Sequence, residues 1–209
     1  MNYNFTANWF DSAENQEMDL RNVLPYKTND EIHILEIGSY EGRSTVWFVE
    51  NLLNNEKSTI TCVDPWENYS QDAKSIGSYG SSDASCKFKT RKIKDVFLNN
   101  IEVTGKKNQV LVKQGMSNKI LPLLISEDKE YDVIYVDGNH VAPFVLMDAV
   151  MSWNLLKNNG IMVFDDYLWM PHIAKTLRPQ IAIDHFIEVF HDYCEVKLNN
   201  YRKAIVKKI

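Results

Sequence analysis

A short apolar strand followed by a tight loop with two glycines constrains the fold of this chain more than any other feature. Residues 34–37 carry an acidic residue, Glu36, and Gly38 and Gly42 follow before residues 45–53 continue as a helix. In a doubly wound α/β sheet, the first strand-to-helix turn is where nucleotide-like cofactors lie against the backbone. Glycine permits this approach, because a Cβ at either position would collide with a ligand or with the strand. The pattern predicts a cofactor crevice at the carboxyl edge of a parallel sheet.

The spacing E-x-G-x-x-x-G differs from the dinucleotide pattern G-x-G-x-x-G. A carboxylate at position 36 that faces the loop would repel a pyrophosphate but attract the ammonium group of a methionine moiety. We therefore predict S-adenosylmethionine (SAM), and not NAD, as the cofactor. A strand-to-helix turn without a ligand is the alternative. The loop residues predicted to bind SAM are Glu36, Gly38, Ser39, Tyr40, Gly42 and Ser44.

A second apolar strand, residues 59–63, ends at Asp64 about twenty residues after the loop. An acidic residue at this position typically holds a ribose diol through two hydrogen bonds to one carboxylate. We predict this role for Asp64 and include the neighbouring Trp66 in the cofactor site. The alternative is that Asp64 and Pro65 only end the strand, because proline cannot continue the ladder.

Strand-like and helix-like segments alternate regularly along the rest of the chain. Residues 131–136 form a nearly continuous apolar run, as expected of a strand buried on both faces of a parallel sheet. Two short strands, 195–198 and 202–206, are joined by Asn199-Asn200, which tolerates the positive φ of a tight hairpin. We predict an α/β fold: a doubly wound, Rossmann-like, seven-stranded and mostly parallel sheet with a C-terminal antiparallel hairpin.

The length of 209 residues is normal for one α/β domain, so we expect a single domain over 1–209. Apolar residues between 5 and 25 predict an N-terminal helical cap within residues 1–30. The serine-rich stretch 67–87 interrupts the series of strands and helices, and we expect it to be a mobile loop.

Composition excludes several classes of function. The net charge of −5 lacks the basic surplus of nucleic-acid binders, and the basic clusters at 87–94 and 203–208 are expected to be solvated. The three cysteines have no metal-binding spacing, and no apolar run approaches the roughly 20 residues of a membrane span. The N-terminus lacks the pattern of a signal peptide. We expect a cytoplasmic protein with no nucleic-acid or membrane partner; a homodimer is left open.

Three aspartates follow two strands of the predicted sheet. Asp137 ends one strand, and Asp165 and Asp166 end the next, so all three are expected at the edge that holds the cofactor loop. Three carboxylates repel one another, and a divalent cation with oxygen ligands, such as Mg²⁺, removes this penalty. We predict Asp137, Asp165 and Asp166 as metal ligands. The alternative is that Asp166 caps the next segment while Asp165 is solvated.

These motifs resemble a known family. Residues 35–44 look like the SAM-binding loop of catechol O-methyltransferase, and Asp137 and Asp165-Asp166 match the positions of its magnesium ligands, with Asp-Asp where that enzyme has Asp-Asn. The segments 135–140 and 164–167 are more similar to bacterial macrocin-type sugar O-methyltransferases. The resemblance implies that Gly115, Met116 and Ser117 form the turn beside the adenine. It also implies that Asp137 belongs to the cofactor site.

His140 stands three residues after the first predicted metal ligand. Catechol-type enzymes have a lysine base there, whereas the macrocin-type pattern Asp-x-x-His implies that histidine is the base. An imidazole titrates near neutral pH, which suits proton removal from a hydroxyl group. The alternative is that His140 orients the cofactor or a carboxylate without taking a proton.

The predicted reaction is methyl transfer from SAM to a hydroxyl oxygen of a small molecule of the sugar, phenol or catechol type. The chain has no Pro-Pro pair, and therefore no N-P-P-Y motif of the kind associated with amide or amine methylation. Three other functions stay open. The first is a protein of the same fold that binds a ligand or a partner without catalysis. The second is a related metal-dependent enzyme that uses Asp165 and Asp166 for other chemistry, and the third is a methyltransferase that needs no metal.

Overall fold

Seven strands form one mixed sheet within the part of the chain that the computed structural model describes, residues 2–6, 10, 16–27, 29–66 and 92–208. Their spatial order is β3-β2-β1-β4-β5-β7-β6; the first five are parallel, and β7 runs antiparallel to both β5 and β6. This confirms the predicted fold class. The strands are β1 (His33–Ile37), β2 (Thr59–Asp64), β3 (Val110–Gln114), β4 (Tyr131–Val136), β5 (Leu156–Phe164), β6 (Cys194–Asn199) and β7 (Lys203–Lys207).

Helices cover both faces of the sheet. They are α1 (Gln16–Val23), α2 (Arg43–Asn51), α3 (Ile93–Val103), α4 (Ser117–Ser126), α5 (Ala142–Trp153) and α6 (Gln180–Val189). None of these helices is both long and apolar enough to cross a lipid bilayer. Three short 3₁₀ turns lie at 107–109, 175–177 and 191–193.

The core has two layers because successive residues of a strand point to opposite faces of the sheet. On one face, Leu20, Phe48 and Phe97 from α1, α2 and α3 belong to the same buried cluster. On the other face, Leu121 of α4 and Phe186 of α6 belong to the second cluster. The central strands β1, β2 and β4 are buried on both sides, which explains why they are largely apolar runs in the sequence, whereas the edge strand β3 is partly exposed.

In the N-terminal segment 1–30, the structure describes residues 2–6, Phe10 and residues 16–27, 29 and 30. Residues 2–6 contain no helix, whereas α1 is helical and contributes the buried Leu20 to the core. The predicted helical cap therefore includes a non-helical portion at its start. The predicted loop at 67–87 lies outside the described residues, so its mobility stays a prediction.

Candidate active site

The crevice of this fold is expected between β1 and β4, because β1 pairs with β2 on one side and with β4 on the other. In open parallel sheets, ligands bind outside the carboxyl ends of the strands at such a switch point. The turns predicted to carry the site all lie at this edge. Gly38 follows β1, Asp64 ends β2, Gly115 follows β3, Asp137 follows β4 and Asp165 follows β5.

Glu36 is fully enclosed beneath the loop and has no exposed surface. Its carboxylate accepts hydrogen bonds from Ser39 Oγ and Ser44 Oγ at 2.6 Å and from Thr45 Oγ1 at 2.5 Å. Burial raises the pKa of Glu36 despite these bonds, which favour the charged form. The predicted contact of Glu36 with an ammonium group stays a prediction. The structure adds that this carboxylate stabilises the loop through three hydroxyl groups.

The two glycines of the loop are required by the protein itself. Gly38 has φ +91°, and a Cβ on it would lie 2.0 Å from the backbone oxygen of Asp137. Gly42 has φ +82°, and its Cβ would meet the ring of Phe97 at 2.9 Å. The sequence analysis expected a Cβ at these positions to collide either with a ligand or with the protein. At both positions the collision is with the protein. Glycine at 38 thereby brings the turns after β1 and β4 into contact.

Asp64 connects the turn after β1 to the turn after β2. One carboxylate oxygen accepts the N–H of Tyr40 at 2.9 Å and the other accepts the N–H of Trp66 at 2.6 Å, while the indole of Trp66 donates to the carbonyl of Tyr40 at 2.8 Å. Burial raises the pKa of Asp64 against the effect of these bonds. Each carboxylate oxygen can accept a further bond. The ribose contact therefore stays a prediction, and the structure adds a role in holding the loop.

Three non-glycine residues around the crevice have left-handed backbone conformations: Tyr40 (φ +47°), Trp66 (φ +48°) and Asp166 (φ +53°). Such conformations are costly for residues with a side chain and persist where surrounding contacts enforce them, often at functional sites. Here the enforcing contacts include the bonds to Asp64 described above. The backbone at this edge therefore adopts conformations that are locally unfavourable and that tertiary contacts maintain.

The predicted cofactor residues divide into a supporting layer and an accessible layer. Buried side chains support the loop from below, whereas residues in the turns after β1, β3 and β4 keep exposed surface. The supporting layer contains Glu36, Ser39, Gly42, Ser44, Asp64 and Trp66, and the accessible layer contains Gly38, Tyr40, Gly115, Met116, Ser117 and Asp137.

Asp148 of α5 is a buried acid that sequence reasoning missed. It is 1% exposed, and no group of the described residues forms a hydrogen bond with its Oδ1 atom. Burial raises the pKa of Asp148 to about 6, although a hydrogen bond from Ser117 acts in the opposite direction. The residue therefore lies directly against the turn implied to border the adenine. Its position on an apolar helix of the second core cluster gave no signal of this contact.

We expect Asp148→Asn to stabilise the protein at pH 7.5 and not at pH 4. Because the folded state raises the pKa, the stabilisation tied to the protonated acid is complete below the unfolded value of about 3.9 and is lost as pH rises through about 6. At pH 7.5 the neutral asparagine should raise the free energy of unfolding by about 2 kcal/mol. Urea unfolding at both pH values measures this, with Asp95→Asn as an exposed control. A destabilised variant at both pH values would show that the carboxylate is required for packing.

Asp137, His140 and Asp166 converge after β4 and β5. One ligand-type atom of each lies within 4.8 Å of the other two. His140 Nε2 lies 2.5 Å from Oδ2 of Asp166 and 3.9 Å from Oδ1 of Asp137. The side chains are 25%, 33% and 21% exposed, respectively, so all three are open to the crevice. Carboxylate oxygens and an imidazole nitrogen are a donor set that suits a divalent cation.

The charges of this cluster affect one another. Burial and the charges of Asp165 and Asp166 raise the pKa of Asp137 well above its usual value. Burial alone would lower the pKa of His140, but its hydrogen bond to Asp166 and the nearby carboxylate charges raise it. Burial opposes ionisation of Asp166, yet His140 and the hydroxyl of Tyr201 lower its pKa; the hydroxyl donates to Oδ1 at 2.8 Å. These shifts favour a protonated imidazole beside an ionised Asp166, next to Asp137.

The side chain of Asp165 bonds to buried residues and does not face the crevice openly. Its side chain is 8% exposed and accepts hydrogen bonds from Arg202 Nε at 2.6 Å and from the hydroxyl of Tyr135 at 2.7 Å. Arg202 is fully buried, and its guanidinium also lies 5.9 Å from the ring centre of Tyr135. The prediction that Asp165 is a metal ligand stays untested, but the structure shows that this carboxylate already has a charged partner. An internal arginine supplies the positive charge that Asp165 needs.

The strand order explains this contact. Phe164 at the end of β5 pairs with Lys203 at the start of antiparallel β7, so Asp165 and Arg202 are adjacent across the end of the pair. Lys203 is also buried, and its Nζ atom lies 3.2 Å from both Asp184 Oδ1 and the hydroxyl of Tyr167. The expectation that the basic cluster 203–208 is solvated is therefore wrong for Lys203. The sequence did contain one signal for this contact. The C-terminal hairpin was predicted, and pairing its second strand with β5 would have placed Arg202 next to Asp165.

Comparisons with known proteins give a family and a fold. Residues 35–167, more than half of the chain, match a family described as a methyltransferase domain. An uncharacterized protein of Acanthamoeba polyphaga mimivirus is 24% identical over 166 residues, which are 78% of this chain and 65% of that protein. The chain thus spans slightly less than two thirds of the length of this relative.

Solved structures share the fold at low identity. A putative O-methyltransferase from Klebsiella pneumoniae is 16% identical with a TM-score of 0.64, over 97% of this chain and 84% of that one. An O-methyltransferase from Bacillus cereus, determined in complex with SAH (S-adenosylhomocysteine), is 17% identical with a TM-score of 0.57, over 84% of this chain and 74% of that one. At these identities the likeness establishes the architecture of the sheet and its helices.

Proposed function

The chain belongs to the family of methyltransferase domains, and from this premise we propose that it transfers a methyl group from SAM to a hydroxyl oxygen of a small molecule. One observation carries the proposal. The turns after β1 and β2 are locked to each other through Asp64, and they border an accessible layer at the switch point of the sheet. The Bacillus cereus O-methyltransferase of the same fold binds SAH, the product that SAM leaves after methyl transfer. This supports SAM as the methyl donor.

Oxygen is the acceptor that the site residues favour. In methyl transfer the cofactor supplies the reactive group, so the protein must align donor and acceptor and remove a proton from the acceptor. His140 is an imidazole that is one third exposed in the crevice, with Asp166 positioned to stabilise its charged form. Both solved relatives described above are named as O-methyltransferases. The acceptor class we propose is a sugar, phenol or catechol hydroxyl.

We also propose that a divalent cation assists, held by Asp137 and Asp166 with His140 beside them. The two carboxylates fit such an ion, because they converge at an accessible point, and His140 lies close enough to act as the base beside it. A cation that binds the acceptor oxygen lowers the pKa of the hydroxyl group. Asp165, paired with Arg202, supports the site and is not an open ligand. Mg²⁺ and a transition-metal dication are both compatible with this donor set.

The ribose contact provides the test of the cofactor. Asp64→Ala should weaken SAH binding about ten- to hundredfold, because a charge-assisted hydrogen bond contributes roughly 1.5–3 kcal/mol. Calorimetry with SAH, and with its 2′-deoxy analogue, separates the two roles of Asp64. The native protein should prefer SAH, and Asp64→Ala should lose this preference.

A control and two contrary outcomes sharpen the test. Asp95→Asn on the exposed start of α3 should bind SAH like the native protein. If Asp64→Ala weakens both ligands equally, the residue acts only by holding Tyr40 and Trp66. If the native protein binds NAD and not SAH, the proposed function is excluded.

A further inference from the structure

The first residues of the chain lie on the cofactor loop. Thr6 donates its backbone N–H to one carboxylate oxygen of Glu41 and its hydroxyl to the other, each at 2.6 Å. Glu41 is 2% exposed and stands between Tyr40 and Gly42, which both have positive φ. Both oxygens of a buried carboxylate thus bond to one residue of the segment 2–6. This connects the N-terminus to the most constrained part of the loop.

A buried asparagine of α3 adds a second connection. Asn100 is 1% exposed; its Oδ1 accepts the N–H of Asn4 at 2.7 Å, and its Nδ2 donates to the carbonyl of Asn4 at 3.3 Å. The same Nδ2 group donates to the carbonyl of Glu41 at 2.8 Å. One side-chain amide therefore binds the backbone of the N-terminal segment and the backbone of the loop together.

Aromatic contacts extend the attachment along α2. The guanidinium of Arg43 lies 4.9 Å from the ring centre of Phe5, a distance typical of a cation–π contact. Phe5 stacks on Tyr3 with ring centres 5.7 Å apart, and the hydroxyl of Tyr3 donates to Glu50 at 2.5 Å. Thr6 thus contacts the loop, whereas Phe5 and Tyr3 contact the first and the last turn of α2.

We propose that residues 2–6 form a strap that holds the 40–42 part of the loop in its binding conformation, so that strap docking and cofactor binding stabilise each other. This inference rests on the proposed use of SAM. Glu41, Asn100 and Thr6 act as positioning residues, because their contacts are with the loop and not with the ligand. The loop has to keep left-handed backbone at positions 40 and 42 in order to present Tyr40 and Gly38 to the crevice, and the strap fixes the residue between them.

Thermodynamic linkage makes the idea measurable. If docking of the strap raises the affinity for the cofactor by a given factor, cofactor binding must favour the docked strap by the same factor. A strap that only stabilises the fold would be equally protected with and without ligand. The backbone amides of Asn4 and Thr6 donate the bonds in question, so their hydrogen exchange reports docking directly.

Thr6→Val tests the coupling without removing the backbone bond or the branched shape. We expect about three- to tenfold weaker SAH binding by calorimetry, together with faster exchange of residues 2–6. In the native protein, saturating SAH should slow this exchange by a similar factor. Thr6→Ser restores the hydroxyl and should recover the affinity. Thr104→Val, which removes a hydroxyl at the far end of α3 where it bonds to Ile101, should change neither quantity.

Three outcomes contradict the inference or its premise. Faster exchange of the strap in Thr6→Val with native SAH affinity would show that the strap and the site are independent. Exchange of the native strap that SAH leaves unchanged would show the same. A native protein that binds no SAH would exclude the proposed function and the strap's role in it, whereas SAH binding that is insensitive to Thr6 excludes the strap alone.

Discussion

His140→Gln is expected to lower kcat by at least about a hundredfold and to leave SAM affinity almost unchanged, because a general base contributes about 10²–10⁴-fold to a rate. Glutamine can still form a hydrogen bond with Asp166, but it cannot accept a proton at neutral pH. The ring of His140 also lies against Trp169, with ring centres 4.8 Å apart, and a side chain of similar length keeps part of this contact. The substitution therefore removes proton transfer and retains most of the packing.

The pH dependence of the rate separates the base from an orienting residue. Native kcat/KM should rise through a limb in the neutral range, and the limb should lie above the ordinary histidine value because Asp166 outweighs burial and raises the pKa of His140. The variant should lack this limb, and its residual rate should continue to rise at higher pH. His191→Gln, an exposed histidine after α6, is the matched control. A near-native kcat with weaker SAM binding would place His140 in the cofactor site as an orienting residue.

The sequence predicted the fold well because local patterns determine its elements. Apolar runs such as 131–136 can only be satisfied by a strand covered on both faces, and the structure buries β4 accordingly. Turns after parallel strands necessarily meet at one edge, which is why the positions of Gly38, Asp64, Asp137 and Asp166 could be predicted together. The order of β7 before β6 followed from none of these patterns.

The partners of buried charges were not predictable, because they depend on long-range register. Glu36 was expected to contact the ligand, and the structure adds that three hydroxyl groups within nine residues of it bond to its carboxylate. Asp165 was grouped with Asp137 and Asp166 because all three follow strands that end at one edge of the sheet. Only the pairing of β5 with β7 shows that Arg202 reaches Asp165. Sequence spacing identifies which residues share an edge of the sheet. It does not identify which of them are already paired there.

Asp165 and Asp166 are therefore expected to respond differently to substitution, although they are neighbours. Asp165→Ala leaves the fully buried Arg202 without its carboxylate, and breaking such a pair typically costs about 3–5 kcal/mol of unfolding free energy. Asp166→Ala should cost less, because the side chain is one fifth exposed and its removal relieves the repulsion on Asp137. Because three like charges repel one another, the sequence alone predicts that each of the three aspartates can be replaced without harm to the fold. The structure limits that expectation to Asp137 and Asp166.

Urea unfolding and cation binding measured on the same variants test this difference. Asp165→Ala should shift the unfolding midpoint strongly, and the double variant Asp165→Leu/Arg202→Met should recover most of the loss, because an apolar pair can replace a buried ion pair. Asp166→Ala should unfold almost like the native protein but lose Mn²⁺ binding in a calorimetric titration, and with it methyl transfer. EDTA should lower the native rate in parallel. If instead Asp165→Ala keeps native stability and loses Mn²⁺ binding, Asp165 is a metal ligand and its pairing with Arg202 contributes little to stability. A full native rate in EDTA would show that His140 and Asp166 act without a cation.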